Sequence, residues 1–336
     1  MLNVLASWQA YESGALAPGA RLPRPFKSIV ELTRNCNFRC VMCPQSFVPE
    51  FATYRPELNM SEEIFRKVAD ELFPYATFVD LRGFGETTIL PYWPSVVEEL
   101  ERHPFVEWHL VTNLSLPRPE TWRKMIRTGF TLGFSCDGAT KETFEAIRGR
   151  SRFGTILSNL EVVGTAIREE RKGYLYFIST VQRRNFGELR AIVELAARHE
   201  VSEVQFKWVH PLGHAEGIED LEESALAAQV SSAVDAGLDL GVSVTFNDWR
   251  FLRGVDAARA REAARPRRAQ AYTLPEIPEG EEAFWESHGL KRVFDAVHDS
   301  SRVSVHRRCF KPFHFAYVDH SGRIGTCNHM MFPDTK

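Results

Sequence analysis

The sequence predicts an α/β protein, a curved parallel barrel or half-barrel with a smaller C-terminal region, on three observations. With 44% hydrophobic and 25% charged residues over 336 positions, the protein can bury a substantial core. From about Phe26 onward, short β-rich runs alternate with amphipathic helical stretches, the pattern of βα units wound around a parallel sheet. Three of the six cysteines fall within eight residues, directly after the first β-rich run.

Residues 1–25 read as a lead-in, and residues 26–249 carry the barrel. Strands are expected at 27–33, 77–81, 106–112, 131–135, 174–180 and 204–209, with one more at 242–246. Between them, 61–73, 95–103, 120–128, 141–148, 155–170 and 188–199 have helical spacing. Ser61 can cap the first of these, with Glu62 and Glu63 complementing the dipole of its first turn. Six βα units in succession place the reactive site at the C-terminal ends of the strands, where the βα loops converge. Residues 250–281, rich in Ala, Arg and Pro, read as a linker or insertion, and 282–336 as a separate cysteine-bearing region. The basic run Arg259, Arg261, Arg265, Arg267 and Arg268 reads as a solvated helix end or loop.

A net charge of −3 gives no global electrostatic reason to bind nucleic acid or an acidic membrane. No segment approaches the roughly 18 apolar residues of a membrane span, so a cytoplasmic protein is expected. Clustered cysteines suit metal ligation in a reducing compartment better than a secreted disulfide framework.

Cys36, Cys40 and Cys43 follow the first strand with C-x3-C-x2-C spacing. A cubane cluster has four irons; a short loop of three cysteines ligates three and leaves the fourth free for an exogenous molecule. The alternatives are a zinc site with a fourth ligand, an electron-transfer cluster with a fourth cysteine, or buried thiols without function. Spacing, position after strand one and the barrel pattern agree on the open cluster.

With these motifs in order over 26–209, the sequence resembles the radical S-adenosylmethionine (SAM) superfamily. The resemblance implies a partial (β/α)6 TIM-like barrel, a [4Fe–4S] cluster with an open iron, SAM bound to it, and an external electron donor of flavodoxin or ferredoxin type. Met42 departs from the family pattern, in which the residue before the last cysteine is often aromatic. In Arg82-Gly83-Phe84-Gly85-Glu86, the segment Gly83, Gly85 and Glu86 corresponds to the family's glycine-glycine-glutamate motif and would contact the SAM amino group. Asn113 and Ser135, at strand ends, would meet the ribose and carboxylate, and Arg148 the carboxylate; Arg148 also suits a helix C-terminus for the dipole alone. Asp137 reads as a cap or turn residue of the next helix, and Cys136 as a small buried hydrophobe.

Cys309 and Cys327 flank an expected β-hairpin with a turn at Asp319-His320-Ser321-Gly322. This resembles the start of the SPASM or twitch regions, which implies an auxiliary [4Fe–4S] cluster ligated by Cys309 and Cys327. Such regions use further cysteines, whereas nine residues follow Cys327; an extension beyond Lys336, a degenerate cluster, and ligation by His306, His329 or Asp334 or of zinc are the alternatives, beside a plain hairpin.

An auxiliary cluster would accept a second electron from the substrate, which favours dehydrogenation of a sugar-like or aminocyclitol small molecule. The short lead-in supports a small-molecule substrate over a leader-bearing peptide. The alternatives are a maturase that cross-links, epimerises or oxidises a peptide or protein, and a non-enzymatic Fe–S or zinc module. Lys207 and His210, at the sixth strand, are candidate substrate base or binding groups.

Overall fold

The computed structural model describes residues 15, 25–51, 53–210, 212–266 and 315–325. All six expected strands form, as does the seventh. In sequence order the strands are β1 (Lys27–Val30), β2 (Arg39–Cys40), β3 (Phe78–Asp80), β4 (Glu107–Thr112), β5 (Thr131–Ser135), β6 (Arg148–Gly149), β7 (Tyr174–Val181), β8 (Glu203–Trp208), β9 (Ser243–Phe246), β10 (Phe315–Val318) and β11 (Ile324–Gly325). The main sheet runs β11-β10-β1-β3-β4-β5-β7-β8-β9, parallel except for the β10–β11 hairpin, while β2 and β6 pair with each other.

Side chains alternate across this sheet with the period of two that extended backbone imposes. Val79, Trp108, Leu110, Leu132, Phe134, Leu175, Phe177, Val204 and Phe206 point to one face and are buried beneath the helices. Their neighbours Asp80, His109, Tyr176, Glu203, Gln205 and Lys207 occupy the other face. Parallel strands covered on both faces normally read as continuous apolar runs. Here the concave side is polar, a difference that matters for the site.

The helices are α1 (Pro44–Phe47), α2 (Glu62–Leu72), α3 (Trp93–Leu100), α4 (Pro119–Thr128), α5 (Lys141–Ile147), α6 (Phe153–Glu170), α7 (Leu189–Arg198), α8 (Glu223–Leu240) and α9 (Ala257–Ala263). Ser61 caps α2 as expected, its hydroxyl accepting from Ile64 N at 3.2 Å, and α2 buries Phe65, Ala69 and Leu72. At the end of α4, Gly129 takes φ +91°, the left-handed conformation that closes a helix without a Cβ penalty. Among the described residues, no helix is long and apolar enough to cross a membrane.

Two features differ from the sequence-based expectation. The stretch read as a linker from residue 250 begins as folded structure: a 3-10 turn at Trp249–Leu252 precedes α9, which buries Ala260 and Ala263. Arg259 of α9 ties to Asp235 of α8, so that part of the basic run is a solvated, ion-paired helix face. The C-terminal hairpin forms, but β10 lies parallel to β1 with Lys27 opposite Phe315 and Val30 opposite Val318, so it extends the barrel sheet. Cys309 and Cys327, with most of the region 282–336, lie outside the described residues.

Candidate active site

The cysteine loop leaves the C-terminal end of β1 and is braced at every turn. Cys40 sits on β2, opposite Arg148 of β6; Cys43 precedes α1, its N–H donating to Cys40 O at 2.9 Å. Arg39 reaches back to Cys36 O at 2.8 Å. Burial pushes the Cys36 thiol up to about 12 and the Cys40 thiol up to about 11, so metal-free both are protonated at neutral pH, and ligating iron would release protons.

The glycine loop lies directly on the cysteine loop, which gives its glycines a steric role. A Cβ at Gly85 would stand 2.1 Å from Asn35 O, and one at Gly83 would stand 2.3 Å from Glu31 Cγ. Neither glycine has a positive φ; close approach, not a special backbone conformation, demands them. Glu86 N completes the contact by donating to Asn35 O at 2.8 Å. The Glu86 carboxylate is buried and joins two strand ends, accepting from Thr88 Oγ1 at 2.7 Å, Thr112 Oγ1 at 2.8 Å and Asn113 N at 2.7 Å. Burial raises its pKa against those bonds. Asn113 in turn donates from Nδ2 to Asn37 Oδ1 at 2.9 Å, within the cysteine loop.

Asp137 is not the cap expected of it: Thr140 caps α5, accepting from Thr143 N. Asp137 is completely buried, accepts from Thr180 N at 2.6 Å and pairs with Arg148 at 2.6 Å. Sequence proximity to a helix start suggested a cap; the fold instead brings Arg148 to it from beyond α5. The Arg148 guanidinium also stands 3.7 Å from Cys40 Sγ. Cys136 is buried, as read from the sequence, and does not join the other thiols.

These elements enclose a cavity of about 300 Å³. Cys36, Cys40 and Cys43 line it together with Gly83, Gly85, Glu86, Asn113, Ser135 and Arg148, so the fold brings all nine of these residues to one chamber. Phe38, Met42, Arg82, Phe84, Val111, Thr112, Ile178 and Thr180 complete its walls and were not singled out in the sequence as ligand contacts, Met42 apart. The strand period carried a signal for two of them: Ile178 stands opposite Ser135 in register, and Thr180 follows two residues later on the same face. Lys207 and His210 are not on the walls. Lys207 is half-buried on β8 opposite Thr180, whereas His210 is exposed.

The walls fit the implied groups. Three thiols face one chamber, with no fourth cysteine on its walls among the described residues. No three metal-binding side chains there converge on a single ion; a cubane takes each thiolate on a different iron and needs no such convergence. Apolar side chains mixed with amide, hydroxyl and guanidinium groups suit a ligand with a base at one end and a charged group at the other.

The model of the radical SAM superfamily matches residues 30–196. The Mycofactocin maturase MftC of Mycobacterium tuberculosis is 30% identical over 174 residues, 50% of this chain and 41% of that protein. The chain thus spans less than half the length of the curated relatives it matches. Among solved structures, Streptococcus suis SuiB bound to precursor peptide SuiA superposes with a TM-score of 0.58, covering 98% of this chain and 64% of that one at 12% identity. Native anSMEcpe with bound AdoMet and Cp18Cys peptide gives 0.51, covering 91% of this chain and 74% of that one at 13% identity. At those identities the superpositions speak for the fold, while the family match runs through the cysteine loop, the glycine loop and the strand ends that close the chamber. The chain belongs to the radical SAM superfamily, whose members use SAM and a [4Fe–4S] cluster.

Proposed function

We propose that this radical SAM enzyme modifies a peptide or protein substrate. The observation that carries the radical chemistry is the single chamber in which the three thiols meet the glycine loop, Asn113, Ser135 and Arg148. In this reading Cys36, Cys40 and Cys43 hold the cluster, and Gly83, Gly85, Glu86, Asn113, Ser135 and Arg148 form the SAM pocket. Bound together, cluster and SAM supply a 5′-deoxyadenosyl radical that removes one substrate hydrogen. The protein's own residues orient the ligand, shield the chamber from water and hold the substrate hydrogen within reach.

The expectation of a sugar-like or aminocyclitol substrate rested on dehydrogenation through an auxiliary cluster, and its preference over a peptide on the length of the lead-in. The maturase relative supports the peptide reading instead, and SuiB's fold, seen with a precursor peptide, is compatible with it. An auxiliary [4Fe–4S] cluster held in part by Cys309 and Cys327, and a flavodoxin- or ferredoxin-type donor, complete the proposal.

The test is anaerobic reconstitution with iron and sulfide, reduction by dithionite in the presence of SAM, and measurement of 5′-deoxyadenosine. Perdeuterated peptides are then screened for deuterium transfer into that product and for a mass change in the peptide. No 5′-deoxyadenosine would return the non-enzymatic module. Transfer from aminocyclitols and never from peptides would restore the small-molecule reading.

A further inference from the structure

The cysteine loop and the strand that follows α5 meet at a guanidinium. β6 lies antiparallel to β2 with Arg148 directly opposite Cys40, and Val41 N donates to Ile147 O at 2.9 Å. The pairing is close: a Cβ at Gly149 would stand 2.6 Å from Arg39 O. This register carries Arg148 Nη1 to 3.7 Å from Cys40 Sγ, within hydrogen-bond reach of a sulfur, while Nη2 stands 2.6 Å from Asp137 Oδ2. Asp137 is itself fixed. Its Oδ1 accepts from Thr180 N at 2.6 Å, and its carbonyl accepts from Asn185 Nδ2 at 3.0 Å. The Asp137 side chain is fully buried and that of Arg148 only 11% exposed, so water screens neither charge well. Neither a helix dipole nor a SAM carboxylate accounts for a guanidinium aimed at a sulfur.

A cysteine that ligates iron is a thiolate, a better acceptor than the thiol, and the contact at Cys40 then becomes a charge-assisted N–H···S hydrogen bond. Reduction of the cluster takes one electron from the external donor and adds one negative charge, spread over irons, sulfides and thiolates. No bond to the protein forms or breaks in that step. A poorly screened cation at one ligand sulfur therefore stabilises the reduced state more than the oxidised one.

We propose that Arg148, anchored by Asp137, raises the reduction potential of the cluster through the Cys40 sulfur. The proposal rests on the reading that Cys36, Cys40 and Cys43 hold the cluster. It gives the buried pair a role apart from SAM, that of easing electron entry from a flavodoxin- or ferredoxin-type donor.

The test needs neither SAM nor turnover. Reconstituted full-length protein is titrated anaerobically with dithionite and mediator dyes, and the reduced cluster is measured by electron paramagnetic resonance. The relevant signal is the one absent from the Cys36→Ala, Cys40→Ala, Cys43→Ala variant, which separates it from an auxiliary cluster. Asp137→Leu with Arg148→Met removes one charge of each sign, so net charge is conserved and a shift reports the contact at Cys40. The reduced-to-oxidised ratio at a given potential should fall about tenfold, a downward shift of about 59 mV for a one-electron couple. Asp137→Asn with Arg148→Gln keeps polar groups at both positions and should shift the same way; it serves if the apolar pair does not fold or take up iron. An unchanged or raised midpoint in a variant that carries the cluster overturns the proposal. Failure of the parent itself to take up the cluster overturns the reading beneath it, so the two failures are distinct.

Discussion

One sheet presents two unlike faces. Its convex side buries Trp108, Phe134, Phe177 and Phe206 under helices, while its concave side carries Asp80, His109, Tyr176, Glu203 and Lys207. The backbone is shared, so the difference lies wholly in alternate side chains. Area removed from water on the convex side stabilises the fold, at about 25 cal/mol for each Å². The concave side costs desolvation and must be repaid by pairing, as Asp80, Asp137 and Glu203 illustrate.

The sharpest way to break this contrast is at the cysteines. The triple variant Cys36→Ala, Cys40→Ala, Cys43→Ala should abolish 5′-deoxyadenosine formation while leaving the urea midpoint of the metal-free protein close to that of the metal-free parent. Iron retained in that variant would be bound elsewhere, as the auxiliary cluster requires. Phe177→Ala, on the convex face, should do the reverse at the level of stability: a loss of about 3–5 kcal/mol in denaturant unfolding, through a cavity in the core.

A third test probes whether buried charge serves the fold. Asp137→Ala should cost about 3–5 kcal/mol by stranding the Arg148 cation, whereas Asp137→Leu with Arg148→Met should recover most of it in the same unfolding assay. The double variant should nevertheless bind SAM more weakly in equilibrium dialysis. Recovery of both stability and SAM binding would show that the pair has no role in the chamber.

The smallest effect is one of pH. Burial alone would raise the Glu31 pKa, but the His320 and Arg34 contacts and the Phe84 N–H hold it below its ordinary value. An acid so depressed adds stability above its unfolded pKa, and that stability is lost as pH falls through the folded value. Melting temperature in the parent should therefore fall more steeply on acidification below the ordinary carboxyl range than in Glu31→Gln. Parallel acid limbs would remove Glu31 as the cause.

Much of this was legible in the sequence, for reasons that can be named. The strands announce themselves because 174–180 is a run rich in aromatic and β-branched residues and apolar and polar residues alternate along 204–208, and the cysteine and glycine loops because their residue types tolerate few substitutes. Asp137 was not legible: its neighbours suggest a helix cap, and only the fold delivers Arg148 to its carboxylate. Nor was the pairing of β10 with β1, since a short strand late in the sequence carries no mark of which edge it will join. Lys207 was nominated by position; that the neighbouring Glu203 is held by Tyr174, Gln205 and Thr245 is visible only in the fold.

The union of β1 with β10 bears on how the protein is made. While the ribosome is still translating, β1 can pair with β3 as soon as that strand emerges, but its other edge stays bare until residues 315–318 appear. For most of synthesis the nascent polypeptide therefore exposes an unsatisfied row of peptide groups beside the loop destined for iron, a template for aggregation that a chaperone or early cluster insertion would need to guard.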